Sequence, residues 1–102
     1  MATVSVVGKR LREARLRAGI SQKQLGIRAG MDEFTASPRI NQYERGKHTP
    51  EFGTVERLAR VLGVPTPYLY CREDELAEWI LAYRKLSKRA RRAVVTHERA
   101  KH

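Results

Sequence analysis

A single cysteine, Cys71, stands in a chain of 102 residues, so no intramolecular disulfide can staple the fold and a small disulfide-built secreted domain is excluded. Histidine is almost as scarce. His48, His97 and His102 are scattered, and with one thiol they make no zinc site, so neither a metal nor a cofactor is expected. No apolar run approaches the ~20 residues that a membrane span needs. The start, MATVSVVGKRL, shows no basic leader followed by an apolar stretch, so no signal peptide is expected and the protein reads as cytoplasmic, with no membrane partner. A Gly-rich phosphate loop, paired carboxylates in a cleft and a Cys/His arrangement are all missing, so an enzyme is not expected. Cys71 lies beside Arg72 but has no evident base or oxyanion donor, and it reads as a passive thiol with redox sensing as its only other use.

Acidic residues are also few: Asp plus Glu number 11 against 21 Lys plus Arg, a net charge of +10. A domain this basic meets a polyanion, unless the charge is simply a solvated surface. The charge is uneven. Residues 1–30 carry +6, residues 31–70 are balanced, residues 71–83 carry −3 and residues 84–102 carry +7. Two basic ends therefore flank a neutral middle and an acidic joint.

Helical periodicity dominates, cut into short pieces by turn residues. The first piece is 6–18, with Val7, Leu11, Ala14 and Ala18 on one face, Arg10, Arg12 and Arg17 on others, and Gly19 as its C-terminal cap. The second opens at Ser21, whose spacing to Gln24 is that of a capping box, and stops at Gly30. At about two turns it must pack on a neighbour. The third is RINQYERG, 39–46, preceded by Ser37 and Pro38, with Ile40 and Tyr43 inward and Arg39, Asn41 and Gln42 outward. The fourth, 51–62, has the stripe Phe52, Val55, Leu58, Ala59 and Leu62, ended by Gly63, and Thr66–Pro67 starts a short fifth with Leu69 inward. Beyond an acidic break at 72–75, Leu76, Trp79, Tyr83, Leu86 and Ala90 step like a short heptad seam and predict one long sixth helix. The only brief strand candidate is Thr3–Val7, and residues 97–102 are expected to fray.

Two short helices joined at a Gly turn, the second with outward polar residues, describe a helix-turn-helix. The segments GISQKQLG, QYERGKHTP and LARVLGVP, in that order, make residues 8–70 resemble the phage-repressor/Cro-like helix-turn-helix regulators, the XRE family. The resemblance implies an all-α fold: a five-helix repressor-like DNA-binding domain over 8–70, followed by an extra long C-terminal amphipathic helix over 75–96. It implies a sequence-specific regulator of double-stranded DNA, a repressor on a pseudo-palindromic operator, working as a homodimer. It also implies a small residue at Gly26, where the third helix crosses the second, and a brace between Arg15 and Glu44.

By the same resemblance Ser37, Arg39, Asn41 and Gln42 face the bases. Arg39 suits guanine and Gln42 suits adenine, although a phosphate contact is equally open for Arg39. Gln22 matches a phosphate-binding position at a helix start, with Lys23 beside it, and Arg45 and Lys47 just after the third helix read as backbone clamps. The chain departs from the family in MDEFTASP, about four residues longer than usual before the third helix. Asp32 and Glu33 are expected to bulge away from the DNA backbone with Phe34 pinning the loop to the protein, and either Thr35 or Ser37 can cap the helix. Leu76, Trp79, Tyr83 and Leu86 are the candidate dimerisation residues, the other reading being a helix folded back over the first and fifth. A different class of function is an antitoxin or interaction module, in which the sixth helix binds a protein partner and DNA binding gives autoregulation. RNA binding is weaker, since no aromatic sheet surface or GXXG loop is present.

Overall fold

Ser5 turns the chain into its first helix, its Oγ accepting the Gly8 N–H at 3.0 Å. The computed structural model describes residues 5–101. Among them every element is helical: α1 (Val6–Ala18), α2 (Gln22–Arg28), α3 (Ala36–Glu44), α4 (Phe52–Leu62), α5 (Thr66–Leu69), α6 (Asp74–Tyr83) and α7 (Lys88–Ala100). The Thr3–Val7 strand candidate is not met where it can be followed. Val6 and Val7 form the first turn of α1, and Thr3 and Val4 lie outside the described residues.

Helices α1 to α5 close around one core. Leu11, Leu25, Ile40, Val55, Leu58 and Leu69 are fully buried, each contributing about 1.5–3 kcal/mol by leaving water. Tyr68 joins them at the α5 end. Helix α1 ends at Gly19, whose φ of 70° lets its N–H return to the Arg15 and Leu16 carbonyls, a backbone state a Cβ would resist. Helix α2 opens with both halves of a capping box: Ser21 Oγ accepts from Gln24 N at 3.0 Å, and Gln24 Oε1 accepts from Ser21 N at 2.9 Å.

Helices α2 and α3 pack on each other more extensively than any other pair. The reason is Gly26. A Cβ there would stand 2.6 Å from Ala36 Cβ and 2.9 Å from Ala36 Cα, so only hydrogen fits at the crossing. Helix α3 starts at Ala36, three residues earlier than RINQYERG suggests, and takes Pro38 into its first turn, where the missing N–H costs nothing. Thr35 occupies the N-cap position but makes no side-chain cap; its hydroxyl donates instead to the Asp32 carbonyl at 3.3 Å.

Several sequence expectations change. Phe34 does not pin its loop, being 84% exposed; the loop is held by Asp32, whose Oδ2 accepts from Phe34 N at 2.9 Å. Phe52 leaves the core stripe of α4 and stacks outside on Tyr70, ring centroids 6.3 Å apart. Arg10, expected on an outer face, is buried. The long sixth helix is two helices. Tight turns bond Lys85 N to the Ala82 carbonyl and Leu86 N to the Tyr83 carbonyl, and Ser87 Oγ then caps α7 by accepting from Ala90 N at 3.1 Å. A serine N-cap competes well with continued helix, which the apolar stepping alone does not register. Helix α6 also docks by a different face. Ala77 is buried with Ile80 and Leu81 partly so, while Leu76, Trp79 and Tyr83 of the seam stay about half exposed. At the other end α7 continues through Ala100, so residues 97–100 are helical; His102 lies outside the described residues.

Arg10 explains how α6 is attached. Its Nε donates to the Cys71 carbonyl at 2.7 Å and its Nη2 to the Arg72 carbonyl at 3.0 Å, fastening α1 to the α5–α6 joint. Nη1 meets Glu13 Oε2 at 3.0 Å and Nη2 meets Asp74 Oδ1 at 2.9 Å. Burial opposes the Arg10 charge, but the hydrogen bonds to Asp74 and Glu13 outweigh it and raise its pKa. The guanidinium also lies 5.8 Å from the Tyr68 ring centroid. The Cys71 thiol is buried and donates to the Glu73 carbonyl at 3.3 Å.

Candidate nucleic-acid interface

With Ala36, Ile40 and Tyr43 turned inward, α3 presents its opposite side to solvent. That side is flanked by two polar clefts. The first, about 550 Å³, lies between α1, α2 and α3 and is lined by Arg12, Gln22, Lys23, Ser37, Asn41 and Arg45, with Arg15 and Glu44 among its walls. The second, about 460 Å³, separates α3 from the loop leading to α4 and includes Arg39, Gln42, His48 and Thr54.

The four base-facing candidates therefore divide. Ser37 and Asn41, four apart, border the first cleft; Arg39 and Gln42, three apart, border the second. Pro38 stands exposed between the two pairs. Of the phosphate candidates, Gln22, Lys23 and Arg45 surround the first cleft, while Lys47 is exposed on the following loop and borders neither. Sequence reasoning did not assign Arg12, Thr54 or a cleft-lining place for His48. Their signal is weak, because they come from other elements and meet α3 only in the folded chain.

The charge in the first cleft is unequally matched. Glu44 is taken up by Arg15: Arg15 Nε and Nη2 donate to Glu44 Oε2 and Oε1 at 2.6 and 3.0 Å. Both side chains are largely buried, and the hydrogen bonds to Glu44 raise the Arg15 pKa against the opposing effect of burial. Arg12, Lys23 and Arg45 form no ion pair among the described residues and leave the cleft cationic. Gln22 is also committed within the protein. Its Nε2 donates to Asn41 Oδ1 at 3.3 Å and to Glu44 Oε1 at 3.1 Å, so the amide bridges α2 to α3 and aligns Asn41.

Asp32 and Glu33 sit on the exposed loop between α2 and α3 and line neither cleft. No group of acidic, histidine or cysteine side chains that could hold a metal ion occurs among the described residues, and no described helix is long and apolar enough to cross a membrane.

A seven-residue helix crossing tightly onto a second helix, whose outer side carries amide, guanidinium and hydroxyl groups beside uncompensated cations, defines a helix-turn-helix DNA-binding domain. Residues 6–69 match a family model described as a helix-turn-helix domain, and the chain belongs to that family, as an XRE-like transcriptional regulator. It is similar to the HTH-type transcriptional regulator ImmR of Bacillus subtilis (strain 168), 31% identical over 68 residues that cover 67% of this chain and 50% of ImmR. The chain thus spans about half the length of that relative. The solved structure of the transcriptional regulator BswR matches with a TM-score of 0.84 and 54% identity, over 91% of this chain and 92% of that one.

Proposed function

We propose that the protein binds a pseudo-palindromic operator in double-stranded DNA as a homodimer and represses transcription by occupying it. The observation that carries this reading is the exposed side of α3, with Ser37 and Asn41 over one cleft, Arg39 and Gln42 over the other, and the cations Arg12, Lys23 and Arg45 along its edge. Helix α3 enters the major groove, about 12 Å wide, and places those four side chains at base edges. Arg39 reads guanine through two acceptors and Gln42 reads adenine, each such pair giving roughly 1–3 kcal/mol of discrimination. Lys23, Arg45 and Lys47 hold the backbone and set the register. Gln22 has two amide hydrogens, so it can keep its bond to Glu44 and turn the other hydrogen from Asn41 to a phosphate, freeing Asn41 for a base. Two copies read half-sites about 34–36 Å apart.

The test is duplex binding across a salt series, followed by selection from a random DNA pool. If the dimer contacts six to ten phosphates, affinity falls about 10³–10⁵-fold between 50 and 200 mM salt, and selection returns a two-fold motif. Absence of duplex binding at low salt rejects the proposal.

A further inference from the structure

Helix α7 contributes no buried residue. Its thirteen residues include Val94, Val95 and Thr96 in succession, a β-branched run that lowers helix propensity, and a helix of this length is marginal in water without packing. Among the described residues, the hydrogen bond and the cation–π contact that tie it back to α6 are both made by Arg91, whose Nε donates to the Tyr83 carbonyl at 2.8 Å and whose guanidinium lies 3.8 Å from the Tyr83 ring centroid. Between α6 and α7 an apolar groove of about 430 Å³ is walled by Trp79, Ile80 and Tyr83 on one side and by Val94 and Val95 on the other. All of these except Ile80 are about half exposed. Such a surface is stable when something covers it.

Charge and spacing identify the cover. On the outer face of α6, Glu75, Glu78, Trp79 and Ala82 line one shallow depression, and Trp79 also borders the apolar groove. Neither Glu75 nor Glu78 has an ion-pair partner among the described residues. On α7, Lys88, Arg92, Val95 and Arg99 are all exposed and follow one another by four, three and four, a single helical stripe. The four-three spacing of Glu75, Trp79 and Ala82 is the spacing of Arg99, Val95 and Arg92 read backwards. An antiparallel contact therefore brings Glu75 to Arg99 and Trp79 to Val95, with Arg92 beside Glu78 and Ala82. Pairing α7 with α7 would set cation against cation, and pairing α6 with α6 would set carboxylate against carboxylate, both unfavourable.

We infer that the occupant is a second copy of this chain, whose α7 lies antiparallel along α6 of the first while the reciprocal contact forms about a two-fold axis. This rests on the homodimer proposed above and gives it an interface: an exchange of basic arms across acidic helices, continuous with the Trp79–Tyr83 groove that the exchange closes.

The experiment uses two full-length variants, E75K/E78K and R92E/R99E. All four positions are exposed, so the core is untouched. Sedimentation at tens of micromolar without DNA should show the unaltered chain as a dimer and each variant alone weakened on the order of 100-fold, since both of its contacts then oppose like charges. An equimolar mixture should recover the dimer, because both contacts of the mixed pair are again opposite in charge. This recovery cannot come from misfolding, and circular dichroism of each variant checks the fold. Self-association retained by either variant, a mixture that stays monomeric, or a monomeric unaltered chain overturns the inference. Duplex binding of the unaltered chain is read separately: a dimer that ignores DNA rejects the function above and leaves the arm exchange standing, and a monomer that binds DNA overturns the arm exchange and the homodimer while leaving the DNA contact of α3.

Discussion

Arg15 and Glu44 are joined by two parallel hydrogen bonds, 2.6 and 3.0 Å long, across the gap between α1 and α3. Arg15 also donates to the Ile20 carbonyl at 3.1 Å, holding the turn before α2. One guanidinium thus orients the helix that carries the base-facing candidates and the helix it crosses. Because Glu44 is at the same time the second acceptor of Gln22, the ion pair and the amide bridge form one network.

Truncating either partner of that pair strands a mostly buried charge. Arg15→Ala and Glu44→Ala are each expected to cost roughly 3–5 kcal/mol, and the double variant less than the sum of the two. Urea denaturation of the three proteins checks it. Variants that unfold at the parent's midpoint would show that the pair does not brace α3.

The crossing at Gly26 and the open position at Gly53 make a matched pair. Gly26→Ala drives a methyl into Ala36 and is expected to destabilise by about 1–3 kcal/mol. Gly53→Ala lies within α4, where the nearest atom to an added Cβ is Arg57 Nη1 at 3.8 Å, and it is expected to stabilise by roughly 0.4–1 kcal/mol. Thermal melts of both should move in opposite directions.

Replacing Arg10 by Met keeps an apolar stem and removes each of the bonds that Arg10 makes to the α5–α6 joint. The Cys71 and Arg72 carbonyls lose their charged donor, at a cost of about 1.5–3 kcal/mol for such a bond. Native-state hydrogen exchange at the Ala77 amide, which bonds to Glu73, should accelerate more than at the Leu25 amide in α2. Equal acceleration at both would mean that Arg10 supports the whole domain and not the attachment of α6.

Asp74 sets the acid limit of the same joint. Hydrogen bonds from Arg10 and then Lys9 hold its carboxyl below the ordinary aspartate range. A depressed folded value means that the contribution is complete above the unfolded pKa, about 3.9, and is lost as pH falls through the lower folded one. The stability difference between the parent and Asp74→Asn should be constant near pH 6 and shrink as pH falls below the ordinary aspartate range, measured by denaturation at each pH. A difference that grows on acidification contradicts this assignment.

At the proposed interface Arg39→Ala and Gln42→Ala should leave the fold intact, since the buried side of α3 is Ala36, Ile40 and Tyr43. Competition against operator variants should show preference lost at one or two positions for each. Uniform weakening over all sequences would assign the residue to phosphate instead.

Local chemistry made much of the fold legible in the sequence. The Ser21–Gln24 box, the Gly19 and Gly63 stops and the apolar spacing of Leu11, Leu25, Ile40 and Leu58 act within a few residues, so they mark helices α1 to α5 without knowledge of the neighbours. The outward side of α3 is legible for the same reason, since Ile40 and Tyr43 name its inner face. Tertiary structure decided the rest. Arg10 reads as one more surface cation until the carbonyls of Cys71 and Arg72, about sixty residues away, arrive beside it. The seam Leu76–Trp79–Tyr83 reads either as a pairing surface or as a face folded back over the first and fifth helices, and only the packing shows that α6 docks by Ala77, Ile80 and Leu81 and leaves the seam half exposed. Ser87 breaks the last helix because its cap competes with continuation, a balance that periodicity does not weigh. Hydrophobic spacing specifies which residues must leave water. Which polar groups may leave with them depends on partners that only the folded chain brings within 3 Å.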